Sequence, residues 1–368
     1  MLDIDLNELG LFPTAAKATG LKPAAPGAMA PIEGAALLEA VTQCWAELEE
    51  LLARCEHAYR TTRSGRTFAE RIGSRYRFHT RKGDTTTAQV QRYCIRDGVQ
   101  WVTLWIGQAD SDLWRCLPKF VGFTASLDDL CIPPADIQDG TYTFAGETLT
   151  QLLARIQALG GPDRDPRWLE YLRKDVRLAA GLQFYEKWAA CPDADARCPE
   201  DLSIIKFYTT EPDILRAAII RNFDTMTPAC LALVSYYFAF DYDDCDWALF
   251  YAAAIGDALA LDVGKDAADV GVKCPTNLGA RPEHDTEHNT RRRATVYELT
   301  RELSRPFRGA VRLQDIVYGR YSRIALSFAQ LCERYLERRD QMRIPPTGDL
   351  ADLIDNIAAA PADFVDDE

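Results

Sequence analysis

Three carboxylates in this 368-residue chain stand out because each ends or interrupts a largely apolar stretch. Asp128 and Asp129 follow the run 123–127, and Asp257 lies within the run 252–259. A buried carboxylate is costly unless it is paired, hydrogen-bonded or bound to a cation. Adjacent acids also repel each other, and a divalent cation with oxygen ligands would relieve that repulsion. These residues therefore predict a metal–carboxylate centre that faces an apolar cavity.

Helices are the elements that must position these acids, because helical periodicity dominates the chain. The segment from Glu33 to Tyr59 carries its large apolar residues on one stripe, which predicts an amphipathic helix. The same pattern predicts helices near 87–106, 110–129, 146–159, 166–190, 212–222, 228–240, 246–262, 291–304, 312–340 and 348–358. Residues 100–104 also fit the alternation of a strand. Pro and Gly fall mainly between these segments, so the sequence predicts an all-α fold.

Composition predicts a globular protein with a single helical domain. Hydrophobic residues make up 47% of the chain and charged residues 26%, which are ordinary values. We expect a mobile N-terminal arm at 1–32, an α-helical domain at 33–345 and an acidic tail at 346–368. The formal net charge of −13 argues against nucleic acid or an anionic membrane as the main partner.

The eleven cysteines are scattered and odd in number, and none forms a close C-x-x-C pair. This usage predicts reduced thiols in a reducing compartment. The N-terminus lacks the pattern of a secretory signal, and no run of about 18 uninterrupted apolar residues predicts a membrane span. We therefore expect a cytoplasmic protein, whose oligomeric state the sequence leaves open.

The order of Asp128-Asp129, Asp257 and the late Arg334-Tyr335 pair resembles the class I terpene synthases. The similarity is greatest to the fungal trichodiene-synthase-like branch, and it covers roughly residues 100–340. In that family an Asp-rich motif, an N-D-x-x-S-x-x-x-E motif and a late Arg-Tyr pair surround the diphosphate of a prenyl substrate. The resemblance implies a helical bundle around an apolar cavity.

The two metal motifs depart from the family pattern. The final acid of the first motif falls on Ile132, so Asp128 and Asp129 alone carry over. In the second motif the Asn, Ser and Glu positions are occupied by Gly256, Ala260 and Gly264, and Asp257 is the residue that survives. The resemblance implies Mg²⁺ held by these three acids. Lys265 follows the lost Glu, and its ammonium could partly replace the missing metal charge; a solvated lysine is the alternative.

The resemblance also implies basic contacts to a diphosphate. Arg216 and Arg221 are the candidate sensors: Arg221 has Asp224 three residues later, like the family's sensor–linker pair, whereas Arg216 has the more family-like distance to Gly256. Either could equally be a surface arginine. Arg334 could grip phosphate oxygens through its planar fork, with Tyr335 donating a hydroxyl.

Together these features imply a sesquiterpene cyclase of the humulene type that ionises farnesyl diphosphate with Mg²⁺, with Asp128 and Asp257 as the catalytic acids. The allylic cation would cyclise in a dry pocket where aromatic faces stabilise positive charge. Four aromatic residues could line that pocket, although core packing explains each of them equally well: Trp105, Phe123, Tyr236 and Phe328.

Other interpretations remain open at this point. A non-catalytic helical protein that binds prenyl diphosphate or acts as a scaffold would explain both degraded motifs. A prenyl-chain-elongating synthase would need a second intact Asp-rich motif, and the Asp257 segment lacks one. The segment His284–His288 fits the zinc-peptidase pattern H-x-x-E-H, but its flanks carry no apolar stripe. The acids at 241–246 are interpreted as helix-capping residues.

Overall fold

The computed structural model describes residues 34–72, 86–106, 109–206, 214–239 and 349–359, together with Glu287, Arg291 and Thr295. Within these ranges the regular structure is helical, and the β-type pairing is a single antiparallel bridge between Phe144 and Glu147. The all-α fold predicted from the sequence is confirmed. Among the helices described, none combines the length and the apolar character that crossing a bilayer requires.

The described helices are labelled here in chain order. They are α1 (Gly34–Thr61), α2 (Arg63–Ile72), α3 (Thr87–Ile106), α4 (Asp112–Asp129), α5 (Pro134–Gln138), α6 (Leu149–Gly160), α7 (Arg167–Ala189), α8 (Ile214–Asp224), α9 (Thr227–Tyr237) and α10 (Asp349–Ala358). Two short 3₁₀ turns, Ala194–Ala196 and Glu200–Leu202, follow α7.

Helical periodicity located most of these elements to within a few residues. The segment 100–104, which also fitted a strand, is helical and belongs to α3. Two helices were not predicted: α2, which is mostly polar, and the five-residue α5, which begins at the Pro133-Pro134 break. The predicted helices at 246–262, 291–304 and 312–340 lie outside the described ranges, apart from helical Arg291 and Thr295.

Polar residues fix where several helices begin. The Ser111 side chain accepts a hydrogen bond from the Trp114 amide at the start of α4. At α6, Thr148 and Gln151 form a reciprocal capping box. These contacts satisfy amide groups that a helix leaves without an internal partner, so each start is specified locally.

Helix α7 runs through the centre of the described core. It contacts α1, α4, α5, α6, α8 and α9, and from Leu178 to Tyr185 every residue is buried. A helix buried on all sides must place its polar residues against partners in other elements. Asp175, Gln183 and Lys187 are the polar residues of α7 that are buried.

Helices α3 and α4 approach each other closely through their backbones at Gly98. Pro118 interrupts α4, and its carbonyl oxygen would lie 2.2 Å from a Cβ built on Gly98 of α3. Glycine at position 98 therefore allows the two backbones to touch. This contact sets the position of α4, whose last two residues are Asp128 and Asp129.

A buried charge cluster joins α4 to α6. Lys119, which is fully buried, donates to the Ala145 carbonyl at 2.8 Å and pairs with Glu147 at 2.5 Å. Arg155 of α6 also pairs with Glu147, at 2.6 Å. Burial lowers the pKa of Lys119, and the Glu147 carboxylate opposes that effect. The cluster fixes α4 against the turn that precedes α6.

The segment 346–368, expected to be an acidic tail, contains helix α10. This helix packs on α3 and α4, with Ile354 and Ile357 buried, and Asp355 forms an ion pair with Arg92.

The eight cysteines in the described ranges are free thiols, as the sequence predicted for them.

Replacing Gly98 with alanine tests the α3–α4 contact. We expect Gly98→Ala to lower the free energy of unfolding by about 2 kcal/mol, because overpacking against the Pro118 carbonyl outweighs the better helix propensity of alanine. Urea unfolding followed by circular dichroism measures the change. Ala53→Gly, at an exposed position inside α1, gives the propensity term alone, expected to be ~1 kcal/mol. A stabilised Gly98→Ala protein would show that the helices can separate without cost.

Candidate functional site around helix α7

The C-terminal end of α4 carries the predicted acid pair. Asp128 and Asp129 are its last two residues, and their side chains lie outside the described part of the structure. The residues just before them are held firmly: the Ser126 hydroxyl lies 2.9 Å from that of Tyr142, and the Leu127 carbonyl accepts a hydrogen bond from Lys187 at 3.2 Å. The end of α4 is therefore anchored from two sides.

A break between α8 and α9 forms the second part of the site. Met226 has a φ of 55°, a left-handed conformation that a non-glycine residue rarely adopts. Just before the break, Arg221 donates to Asp224 at 2.6 Å, and the two side chains are 8% and 6% exposed. A buried Arg–Asp pair is costly to desolvate, and removal of either partner alone would leave an uncompensated charge at the break.

Gln183 of α7 ties this break to the core. Its Nε2 donates to the Asp224 carbonyl at 2.8 Å. Its Oε1 and both amide atoms of buried Asn222 have no hydrogen-bond partner within the ranges described. Buried polar atoms normally have partners, so these groups are open to a partner from outside the described ranges, whether another side chain, water or a ligand.

A row on α7 brings the two parts together. Asp175, Ala179, Gln183 and Lys187 are spaced four residues apart, so each lies one turn beyond the last and about 40° further round the helix. Gln183 contacts the α8–α9 break and Lys187 contacts the end of α4, one turn or about 6 Å further along the axis. The acid pair and the Arg221–Asp224 pair therefore flank the same stretch of α7.

Asp175 begins this row and is fully buried. Burial raises the pKa of its carboxyl to about 8, and the nearby Ala229 amide opposes the shift. Neither oxygen has a partner of normal hydrogen-bond geometry among the described groups. The carboxyl is therefore largely protonated at neutral pH, beside the first turn of α9.

The two candidate sensor arginines have different surroundings. Arg216 lies at the partly exposed side of α8 and forms an ion pair with Glu47 of α1. Arg221 is buried at the break with Asp224, as the i, i+3 spacing suggested. Asp257, Lys265, Arg334 and Tyr335 lie outside the described residues.

The aromatic candidates for a pocket lining can be assessed in part. Phe123 packs edge-on against Tyr142 and Phe144, and the Tyr236 hydroxyl donates to the Ile156 carbonyl at 3.1 Å. Both are buried core residues. The side chain of Trp105 and all of Phe328 lie outside the described part.

The polar row on α7 was not predicted from the sequence. A signal for it was present: Asp, Gln and Lys recur at multiples of four within a segment predicted to be a helix. Solvated polar residues on an exposed helix show the same spacing, so the spacing alone does not indicate a buried row. The central position of α7 is known only from the fold.

The end of α4 fits Mg²⁺ in its donor chemistry. Proteins usually hold this ion through one or two carboxylates and let substrate phosphates complete the shell. Two adjacent acids at one helix end provide such a partial donor set. Among the described residues no group of three or more His, Cys, Asp or Glu side chains could hold a metal ion.

In the H-x-x-E-H segment, Glu287 pairs with exposed Arg291 at 3.0 Å.

The buried Asp175 carboxyl predicts a specific pH dependence of stability. Its pKa is about 8 in the folded protein against an ordinary value of 3.8, so its contribution to stability is greatest below pH 3.8 and is lost as pH rises towards 8. We expect Asp175→Asn to remove a slope of up to about 1.4 kcal/mol per pH unit between those values. Urea unfolding at pH 5, 6, 7 and 8 measures it.

Glu170→Gln on the same helix is the matched control. Glu170 is exposed, and its hydrogen bond and ion pair with Lys174 lower its pKa, so its small contribution has the opposite sign. Equal pH slopes for the wild type and Asp175→Asn would contradict a buried, protonated carboxyl.

Comparison with known proteins identifies the family. The family model for alpha-humulene synthase matches residues 84–366. Alpha-humulene synthase asR6 of Sarocladium schorii is 23% identical over 269 residues, covering 69% of this chain and 54% of that protein. Alpha-humulene synthase eupE of a Phoma species is 24% identical over 289 residues, covering 76% of this chain and 67% of that protein.

The chain thus spans little more than half the length of the Sarocladium protein. The family match extends from α3 through α10 and includes every residue of the site around α7. The resemblance to fungal sesquiterpene synthases inferred from motif order is confirmed. The chain is a divergent member of the alpha-humulene synthase family.

Proposed function

We propose that this protein is a sesquiterpene cyclase that ionises farnesyl diphosphate with Mg²⁺ and cyclises the resulting carbocation in an apolar pocket. The observation that carries the proposal is the buried Arg221–Asp224 pair, which flanks the same face of α7 as the end of α4. An arginine and an acid pair that flank one short stretch of α7 suit a metal-bound diphosphate.

In this proposal Asp128 and Asp129 hold Mg²⁺ at the end of α4, with Asp257 as a further ligand. The chemistry supplied by the ion is neutralisation of the diphosphate charge, which stabilises it as a leaving group. The chain's contribution is to fix the two acids: Ser126 and Leu127 are both anchored, so the last turn of α4 is held in place.

Arg221 is the proposed sensor of the diphosphate, and Asp224 orients its guanidinium. A planar guanidinium binds phosphate oxygens in a bidentate manner, and burial strengthens that contact. Arg216 is the weaker candidate because its pair with Glu47 lies on the partly exposed side of α8, whereas the Arg221–Asp224 pair is buried at the break. Lys265, Arg334 and Tyr335 are proposed to grip the remaining diphosphate oxygens.

Exclusion of water is the other requirement of this reaction, because water would quench the carbocation. The second half of α7 is buried on all sides, and the last turns of α4 contribute buried Val121, Phe123 and Leu127. Such apolar surroundings favour loss of a proton from the cation over capture of water. The product expected is therefore a hydrocarbon.

Incubation with farnesyl diphosphate, with and without Mg²⁺, tests the activity directly. We expect a magnesium-dependent sesquiterpene hydrocarbon, detected by gas chromatography–mass spectrometry. Absence of any product from farnesyl, geranyl or geranylgeranyl diphosphate, with retained binding of inorganic diphosphate, would instead support the non-catalytic binding protein that the degraded second motif permits.

Substitution of the two arginines of α8 tests which of them binds the diphosphate. We expect Arg221→Gln to lower kcat/KM for farnesyl diphosphate by about 100-fold, because a buried diphosphate contact is lost. Arg216→Gln should change it by less than about fivefold, since ion pairs that are partly open to solvent contribute little. Steady-state kinetics on both variants provide the comparison, and a larger loss in Arg216→Gln would assign the sensor to that residue.

A further inference from the structure

We propose that Gln183 and Lys187 are positioning residues that couple the α8–α9 break to the end of α4. The inference rests on the proposed function, because it explains how the α8–α9 break and the end of α4 keep a fixed position relative to each other. It concerns residues that touch the elements of the site and act through their backbones.

Lys187 holds the end of α4 through a main-chain atom. Its side chain is 5% exposed, and its ammonium donates to the Leu127 carbonyl at 3.2 Å, immediately before the acid pair. The last carbonyls of a helix carry partial negative charge, so a cation there is favourable. Removing the ammonium would release the turn that carries Asp128 and Asp129.

Gln183 plays the matching part at the other end. Its side-chain amide donates to the Asp224 carbonyl at 2.8 Å, and Asp224 is the last residue of α8 and the ion-pair partner of Arg221. Asp224 contacts both Arg221 and Gln183, so a movement of the Arg221–Asp224 pair also displaces Gln183. The contact is buried, so water cannot easily replace it.

Helix α7 supplies a rigid connection between these two contacts. Gln183 and Lys187 are one turn apart on one face, about 6 Å along the axis. The surrounding residues of this turn, including Phe184 and Tyr185, are themselves buried. A shift of the break on binding an anion would thus be transmitted to the acid pair, and a shift of the acid pair would be transmitted back.

Hydrogen exchange of the ligand-free protein tests this coupling without any activity assay. We expect Lys187→Met to accelerate amide exchange about tenfold at 127–132, where its own contact is lost, and also at 221–229, across α7. Gln183→Leu should accelerate both segments in the same way. Lys187→Arg retains a donor and should return both segments towards wild-type rates.

Lys119→Met is the matched control. Lys119 is also a buried lysine that donates to a carbonyl, that of Ala145, but it lies on α4 facing Glu147 and outside the row on α7. We expect its loss to destabilise the protein and to accelerate exchange at 145–147 while leaving 221–229 unchanged. If Lys187→Met accelerates 127–132 alone, or if Lys119→Met disturbs 221–229 equally, the coupling is refuted.

Addition of inorganic diphosphate and Mg²⁺ to the same samples separates this inference from the proposed function. In the wild type we expect both segments to become protected, and in Lys187→Met the Mg²⁺ concentration for half-maximal protection should rise at least about fivefold. A wild type that shows no protection would contradict the proposed function, whereas the ligand-free result would still decide the coupling.

Discussion

The burial of α7 is the constraint on which the described structure depends. Every polar residue that this helix carries into the core needs a partner in another element, because an unpaired buried polar group costs about 1–3 kcal/mol. Two of these partners are main-chain carbonyls at ends of helices: Asp224 for Gln183 and Leu127 for Lys187. The polar requirements of one central helix therefore determine where α4 ends relative to the break between α8 and α9.

The two buried lysines, Lys119 and Lys187, anchor α4 in different ways. Lys119 faces a carboxylate that Arg155 also contacts, so its charge is paired within a cluster that joins α4 to α6. Lys187 instead contacts the carbonyl next to the acid pair, where its charge adds to the electrostatic field around those acids. Both side chains anchor α4, but the second does so at the residues proposed to meet the substrate.

The sequence predicted the helices well because their apolar stripes are long, as in α1, where Leu48, Leu51 and Cys55 are all buried. Helix α2 escaped prediction because its sequence is mostly polar, and α5 because two prolines mask a short helix. The spacing of Arg221 and Asp224 suggested their pairing, whereas the partner of Arg216 is Glu47, 169 positions away, and no local pattern indicates it. The row on α7 depends on contacts among four helices, so it required the fold.

The fit between Tyr236 and Gly160 has a consequence for how this family can diverge. The Tyr236 hydroxyl reaches the Ile156 carbonyl across the last turn of α6, and a Cβ built on Gly160 would lie 2.1 Å from that hydroxyl oxygen. Position 160 is therefore not free to change alone: a side chain there requires a shorter residue at 236. Among relatives, these two sites should covary, with loss of the glycine accompanied by loss of the tyrosine.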